Sequence, residues 1–254
     1  MPLPDLNRRA VIAGMAATLT AAAHAGPQAP LPPLRAIAFD AFPIFDPRSI
    51  AALARERLGE KGGSLAAAWA AKTFGYGWLE TAAGRYADFA TLADAALRHS
   101  AAATGIALDE ATRRALLDQY QQLDIWPDVK PALGKLRAAG LRLVLLSNLG
   151  EATLDANMRR NGIADLFEPP LSTDRVQRFK PAPAAYHMAI DALRLPRDAI
   201  GFAAFAGWDA VGATWFGYRT AWVNRANAPA EPLDVAPAFA GRTMESVLAL
   251  AGLN

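Results

Sequence analysis

Leu34-Arg35-Ala36-Ile37-Ala38-Phe39-Asp40-Ala41-Phe42-Pro43-Ile44-Phe45-Asp46 is the stretch that decides the fold. A short apolar run ends in a carboxylate, and a proline-containing turn follows. Continuous apolar runs of this length read as strands buried on both faces of a parallel sheet. In open α/β sheets the carboxyl ends of the strands face the crevice where ligands bind, so Asp40 stands where a nucleophile could be held rigidly. The residue two positions on matters equally. A Mg²⁺-dependent phosphatase built on this strand end needs a second carboxylate there, and the chain has Phe42.

Working outward, residues 47–126 contain no convincing strand. They are rich in Ala, Leu and Arg at helical spacing, as in Ser49 to Leu58 and Phe89 to Ala103, with Gly62-Gly63, Gly75, Gly77 and Gly84 as punctuation. Strand-like runs return at Leu141 to Leu146, Ala199 to Phe205 and Thr220 to Val223. Helical patterns occupy Val129 to Ala139, Glu151 to Asn161 and Ala182 to Arg194. Alternating strands and helices predict right-handed βαβ units and a doubly wound, Rossmann-like parallel sheet. The helical insert after the first strand would form a cap over the carboxyl ends of the strands. The expected organisation is a core of residues 34–46 and 127–254 with a cap of residues 47–126.

The 254 residues carry a net charge of +2, with 53% apolar and 20% charged residues, the balance of an ordinary globular enzyme. The scattered Lys and Arg argue against a nucleic-acid partner. Zero Cys excludes disulfides, thiolate metal sites and Cys nucleophiles. At the N-terminus, Asn7-Arg8-Arg9 precedes an apolar, Ala-rich stretch from Ala10 to Ala23, and Ala23-His24-Ala25 has the small residues of a signal-peptidase site. That order predicts an export signal of the twin-arginine kind over residues 1–25, with residues 26–33 as a Pro-rich linker. Export would place the mature protein in the periplasm, free of the membrane after cleavage. The alternative is a disordered Ala-rich tail on a cytoplasmic protein.

Four polar features fall at the same sheet edge. They are Asp40, Ser147-Asn148, Lys180 with Tyr186, and Gly207-Trp208-Asp209. Each alone has an ordinary reading as a turn residue, a helix cap or a solvated lysine. Their joint occurrence in this order is much harder to reach by accident.

In these residues the chain resembles the haloacid dehalogenase superfamily, and within it the type II (L-2-haloacid) dehalogenases. Ile37 to Asp46, Leu145 to Asn148, Phe179-Lys180-Pro181 through Tyr186, and Gly207-Trp208-Asp209 through Gly217 carry the likeness. Tyr76 to Leu79 and Gly84 to Phe89 extend it into the cap. The resemblance implies that Asp40 displaces halide from C2 of a small 2-haloacid with inversion, leaving an aspartyl ester that water then hydrolyses to a 2-hydroxy acid. It gives Lys180 the role of the cation beside Asp40. Ser147 and Asn148 would donate hydrogen bonds to the substrate carboxylate, and Tyr186 and Asp209 would hold Lys180 and the water. Phe42, Phe74, Phe89 and Trp208 match positions that wall the substrate pocket. No metal or other cofactor is implied, since a leaving halide does not demand the charge neutralisation of phosphoryl transfer. Members are often dimers, so a homodimer is expected by analogy.

The chain departs from that pattern at four positions. Ala70 stands where an arginine usually grips the halide, and Ile44 replaces a threonine. Ala204 and Ala206 replace a serine and an asparagine that position the water and the nucleophile. Losing one transition-state donor typically costs on the order of 10²–10³ in rate. Three readings follow: a dehalogenase with other donors, such as Lys72 or Arg85; a hydrolase acting on another electrophile; or a catalytically impaired protein that binds a small acid. A phosphatase is the alternative enzyme. The favoured expectation is a dehalogenase-like hydrolase with weak or shifted activity.

Overall fold

A computed structural model describes residues 32–253. Six parallel strands form one sheet in the order β3-β2-β1-β4-β5-β6. They are β1 (Ala36–Phe39), β2 (Arg142–Ser147), β3 (Leu171–Ser172), β4 (Ile200–Ala204), β5 (Arg219–Val223) and β6 (Phe239–Gly241). β1 lies at the centre, with Ala38 opposite Val144 on one side and Phe202 on the other. The chain moves outward from β1 through β2 to β3, then crosses back to β4 and out to β6. The order reverses at β1, the place where a doubly wound sheet opens a crevice.

Side chains of β1 alternate between two cores, as a strand's period of two requires. Ile37 and Phe39 join the core that also holds Leu133 and Leu136 of α5 (Val129–Ala138), Leu154 of α6 (Glu151–Arg160) and Val247 of α9 (Glu245–Leu250). Ala36 and Ala38 join the opposite core with Tyr186 of α7 (Pro183–Leu193) and Ala210 of α8 (Gly207–Phe216). Burial on both faces is why β1, β2, β4 and β5 read as apolar runs. β3 has two residues, and β6 carries exposed Phe239 and Ala240 at the edge, so neither shows a readable pattern.

Between β1 and β2 the chain forms α1 (Arg48–Leu58), α2 (Lys61–Ala82), α3 (Phe89–Ala103) and α4 (Glu110–Asp118). The two ends of this insert are tied together. Phe45 bridges Ile125, the Asp46 amide donates to the Asp124 carbonyl at 2.8 Å, and Trp126 donates through its indole to the Phe42 carbonyl at 3.0 Å. Asp88 and Asp109 cap α3 and α4 by accepting from the amides of Thr91 and Thr112.

The glycines of this insert correct the sequence reading. Gly62, Gly63, Gly75 and Gly77 lie inside α2, and only Gly84, past its end at φ 69°, interrupts a helix. Each glycine inside α2 costs the helix about 1 kcal/mol against alanine, and at Gly62, Gly63 and Gly77 close packing offsets that cost. A Cβ on Gly62 would collide with the Ala54 carbonyl of α1, and one on Gly77 would press on the Phe179 ring at 3.2 Å. Gly62, Gly63 and Gly77 mark where α2 meets its neighbours, whereas Gly75 faces open space.

Candidate active site

Asp40 follows β1 directly, its amide donating to the Ala203 carbonyl of β4 at 2.9 Å. The residue is 8% exposed. The Lys180 ammonium donates to Asp40 Oδ1 at 2.7 Å and to Asp209 Oδ2 at 2.6 Å, while Asp40 Oδ2 accepts only a longer 3.3 Å contact from the Phe42 amide. One oxygen of Asp40 is therefore held firmly and the other loosely. Two carboxylates share one buried ammonium, which leaves the triad with one net negative charge. Burying such ions is costly unless each keeps its partner.

Lys180 is itself fixed from both sides. Its amide donates to Asn148 Oδ1 at 3.0 Å, and its carbonyl accepts from the Trp78 indole at 3.2 Å. Burial works to lower its pKa, but the adjoining Asp209 and Asp40 carboxylates outweigh it, and the ammonium titrates above its ordinary value. Burial pushes Asp209 up to about 6, with Lys180 opposing the rise and Asp40 adding to it. The Tyr186 hydroxyl donates to Asp209 Oδ1 at 2.7 Å, and burial raises its pKa well above the ordinary range, with Asp209 contributing.

These contacts refine two expectations. Tyr186 touches Asp209, not Lys180 or the cavity, and packs with Phe202 and Tyr218 on the far side of the sheet. Its hydroxyl reaches the partner of Lys180 and not Lys180 itself. Asn148 uses its side-chain oxygen on the Lys180 amide, which leaves its amide nitrogen available to an anion. Ser147 Oγ accepts from the Leu149 amide at 3.2 Å and keeps its own hydrogen to donate. Both line the cavity.

That cavity encloses about 390 Å³, and Asp40 lies on its wall. The predicted residues Phe42, Phe74, Phe89 and Trp208 all line it, as do Ala70 and Ala206. Phe74 packs on Trp208 with ring centroids 5.5 Å apart, and Phe42 packs edge-on against Phe205 at 5.7 Å. Ile44 and Ala204 are fully buried and do not line it. A mostly apolar chamber keeps water away from a carboxylate and strengthens its interactions.

Lys72 and Arg85 are not in this wall. Lys72 lies over the Tyr76 ring at 5.6 Å, and Arg85 is exposed beside Glu80 at 3.5 Å. The arginines that do line the cavity are Arg48 and Arg55 of α1. Arg48 is occupied: it donates to both Asp46 oxygens, at 2.6–2.9 Å, and lies 4.4 Å from the Trp126 ring centroid. Asp46 is thereby engaged as well. The helical spacing of Arg48, Ala51 and Arg55 was a readable signal, but which face of α1 turns inward depends on its crossing with α2.

The donor set does not suit Mg²⁺. The Lys180 ammonium already bridges Asp40 and Asp209, and Phe42 offers no carboxylate. Among the described residues, no group of three or more His, Cys, Asp or Glu could hold a metal ion.

Fold and site together define a class, a parallel-sheet hydrolase with helices inserted after its first strand. The chain belongs to the haloacid dehalogenase-like hydrolase family, whose model matches residues 33–202. It is 34% identical over 218 residues to the (S)-2-haloacid dehalogenase of Pseudomonas sp. strain YL, covering 85% of this chain and 94% of that one. It is 30% identical to haloacetate dehalogenase H-2 of Moraxella sp. strain B, covering 85% and 97%. Among solved structures, an L-2-haloacid dehalogenase superposes with a TM-score of 0.84 at 37% identity, over 87% of this chain and all of the other. The L-2-haloacid dehalogenase of Xanthobacter autotrophicus with covalently bound chloropropionic acid gives 0.77 at 27% identity, over 85% and 98%.

Proposed function

We propose that the protein is an (S)-2-haloacid dehalogenase that works through Asp40 without a metal ion, with the helical insert as its cap. The observation that carries this reading is the division of labour at Asp40. Lys180 holds one carboxylate oxygen, and the other is lightly held beside an apolar cavity. That oxygen attacks C2 as the carbon–halogen bond breaks, and halide leaves with the bonding pair. Ser147 and Asn148 hold the substrate carboxylate. Water then adds to the Asp40 carbonyl carbon, the C2 oxygen departs with the product, and the carboxylate is restored. With alanine at positions 70, 204 and 206, halide grip and water placement fall to other groups, so the activity is weak or shifted relative to the family.

The direct test is chloride release from L-2-chloropropionate, with product chirality determined. Chloride and inverted 2-hydroxy acid should form equally with excess Mg²⁺ or with a chelator. Mg²⁺-dependent phosphate release from a phosphate ester, with no chloride, would replace this reading with a phosphatase.

The pH profile follows from Asp209. Its acid is raised to about 6, so below that pH it is protonated and Lys180 loses one of its two charged partners. kcat/KM should rise as pH passes upward through about 6 and stay high beyond it. In Asp209→Asn the step near that pH should disappear and the plateau should fall. A wild-type profile flat across that range would contradict the assignment.

We extend the proposal to export by the twin-arginine route. The residues that support it, Arg8-Arg9 and the Ala-rich stretch, lie outside the described residues. Among the described residues no helix is long and apolar enough to cross a membrane. A mature N-terminus near Gly26 is expected, and an intact cytoplasmic Met1 would refute export. A homodimer belongs to the same proposal, and exposed Leu79 and Trp215 give it apolar surface to bury. Sedimentation at the mass of two chains checks it.

A further inference from the structure

We propose that the cavity takes an elongated 2-halo acid with a second anionic group, whose apolar middle runs between α1 and α2 and whose far end meets Arg55. This deepens the dehalogenase reading and rests on it.

The cavity has direction. On α2 the lining residues Gly63, Ala67, Ala70 and Phe74 recur at helical spacing, so they form one stripe along the helix. Phe74 packs against Trp208, the chain neighbour of Asp209, and so marks the end near the triad. Gly63 lies eleven residues earlier, roughly 16 Å along the axis at 1.5 Å per residue. The stripe facing it on α1 begins at Arg48, just after the Asp40 loop, and reaches Arg55 two turns on, roughly 10 Å away. A halogenated propionate is far shorter than this channel.

The far end is built around a cation. A Cβ on Gly63 would lie 2.9 Å from Arg55 Nε and 3.2 Å from one terminal nitrogen, so the guanidinium rests on the surface that the glycine leaves bare. The close crossing at Gly62 brings α1 near enough for this. Among the described residues Arg55 has no ion pair and no hydrogen bond, whereas Arg48 is held by Asp46. A cation at one end, anion-binding groups at the other and alanine walls between them fit a ligand with two polar ends. Asp40 chemistry is unchanged, and the distal carboxylate makes no bond.

The experiment measures halide release from L-2-chloro diacids of butane, hexane, octane and decane chains beside the monoacids of equal length. For the octanedioate, kcat/KM should exceed that for the octanoate about tenfold, the value of a charge-assisted contact at a partly solvated site. Arg55→Gln should bring that ratio to about one, Arg55→Lys should keep part of it, and Gly63→Ala should lower it by displacing the guanidinium. Arg55 is exposed, so the fold should tolerate these changes. Equal rates for diacid and monoacid in the wild type, or a ratio indifferent to Arg55→Gln, would overturn the inference. Halide from 2-chloropropionate alone would also overturn it while leaving the dehalogenase reading intact. No halide from any of the acids would overturn both.

Discussion

Asp40→Asn should abolish halide release, lowering kcat by on the order of 10⁴-fold or more, because removing a covalent nucleophile removes the reaction path itself. The amide has the same shape and neither the charge nor the free lone-pair density needed to displace halide. Its effect on the fold should be small. Lys180 keeps Asp209 at 2.6 Å, and the backbone contact of residue 40 to Ala203 does not involve the side chain. A melting temperature close to wild type together with lost chloride release is the expected pair of results. Wild-type turnover in this variant would move the chemistry away from Asp40.

Lys180→Met should damage both stability and activity. The ammonium is 1% exposed and is the cation that Asp40 and Asp209 share. Without it, two carboxylates face each other in a dry site, and breaking a buried pair in this way costs about 3–5 kcal/mol. For a chain of this size that corresponds to on the order of 10 °C in melting temperature. The pH dependence has a definite sign. Wild-type Lys180 titrates above its ordinary value, so its contribution is fully present below that value and is lost only as pH climbs through the raised one. In the variant the paired acids favour their neutral forms, so the deficit should shrink as pH falls and grow as it rises. Thermal melts across acid and neutral pH check this. A deficit that is constant with pH would mean that Lys180 contributes packing alone. Activity should drop at least 10³-fold at neutral pH, since the remaining carboxylate no longer has a fixed charge and orientation.

Much of this arrangement was legible from the chain because buried parallel strands advertise themselves twice. Each central strand is a largely apolar run, and β1 and β2 end abruptly in polar residues, Asp40 and Ser147-Asn148. Asp40 and Ser147-Asn148 could be placed at one edge on that ground, with Asp209 following β4. The aromatic walls were also recoverable, since Phe42 and Trp208 sit beside those strand ends and Phe74 and Phe89 accompany motif residues of the insert. Three things were not legible, each for a physical reason. The edge strands β3 and β6 are too short or too exposed to show a pattern. The glycines of α2 look like breaks because propensity is local, whereas their use, letting α1 and the Phe179 loop approach closely, is tertiary. Lys72 and Arg85 were offered as examples of other halide donors, whereas Arg48 and Arg55 line the cavity, because the inward face of a cap helix is set by how it crosses its neighbour. Tyr186 was expected to help hold Lys180, and its hydroxyl contacts Asp209, the partner of Lys180.

The alanines singled out in the sequence, Ala70, Ala204 and Ala206, lie outside the hydrogen-bonded triad. Asp40, Lys180, Asp209 and Tyr186 form a continuous hydrogen-bonded series at 2.6–2.7 Å. Ala70 and Ala206 line the cavity. An intact Asp40–Lys180–Asp209 triad beside an apolar chamber argues against lost chemistry.

The covalent role of Asp40 is most directly tested by a single turnover in H₂¹⁸O with enzyme in excess over L-2-chloropropionate, followed by mass spectrometry of the peptide bearing Asp40. Water adding to the ester carbonyl leaves its oxygen on the enzyme, so one ¹⁸O should appear in Asp40 and none in the first 2-hydroxy acid released. Labelled product with unlabelled Asp40 would mean that water attacks C2 directly, and the nucleophile assignment would be wrong.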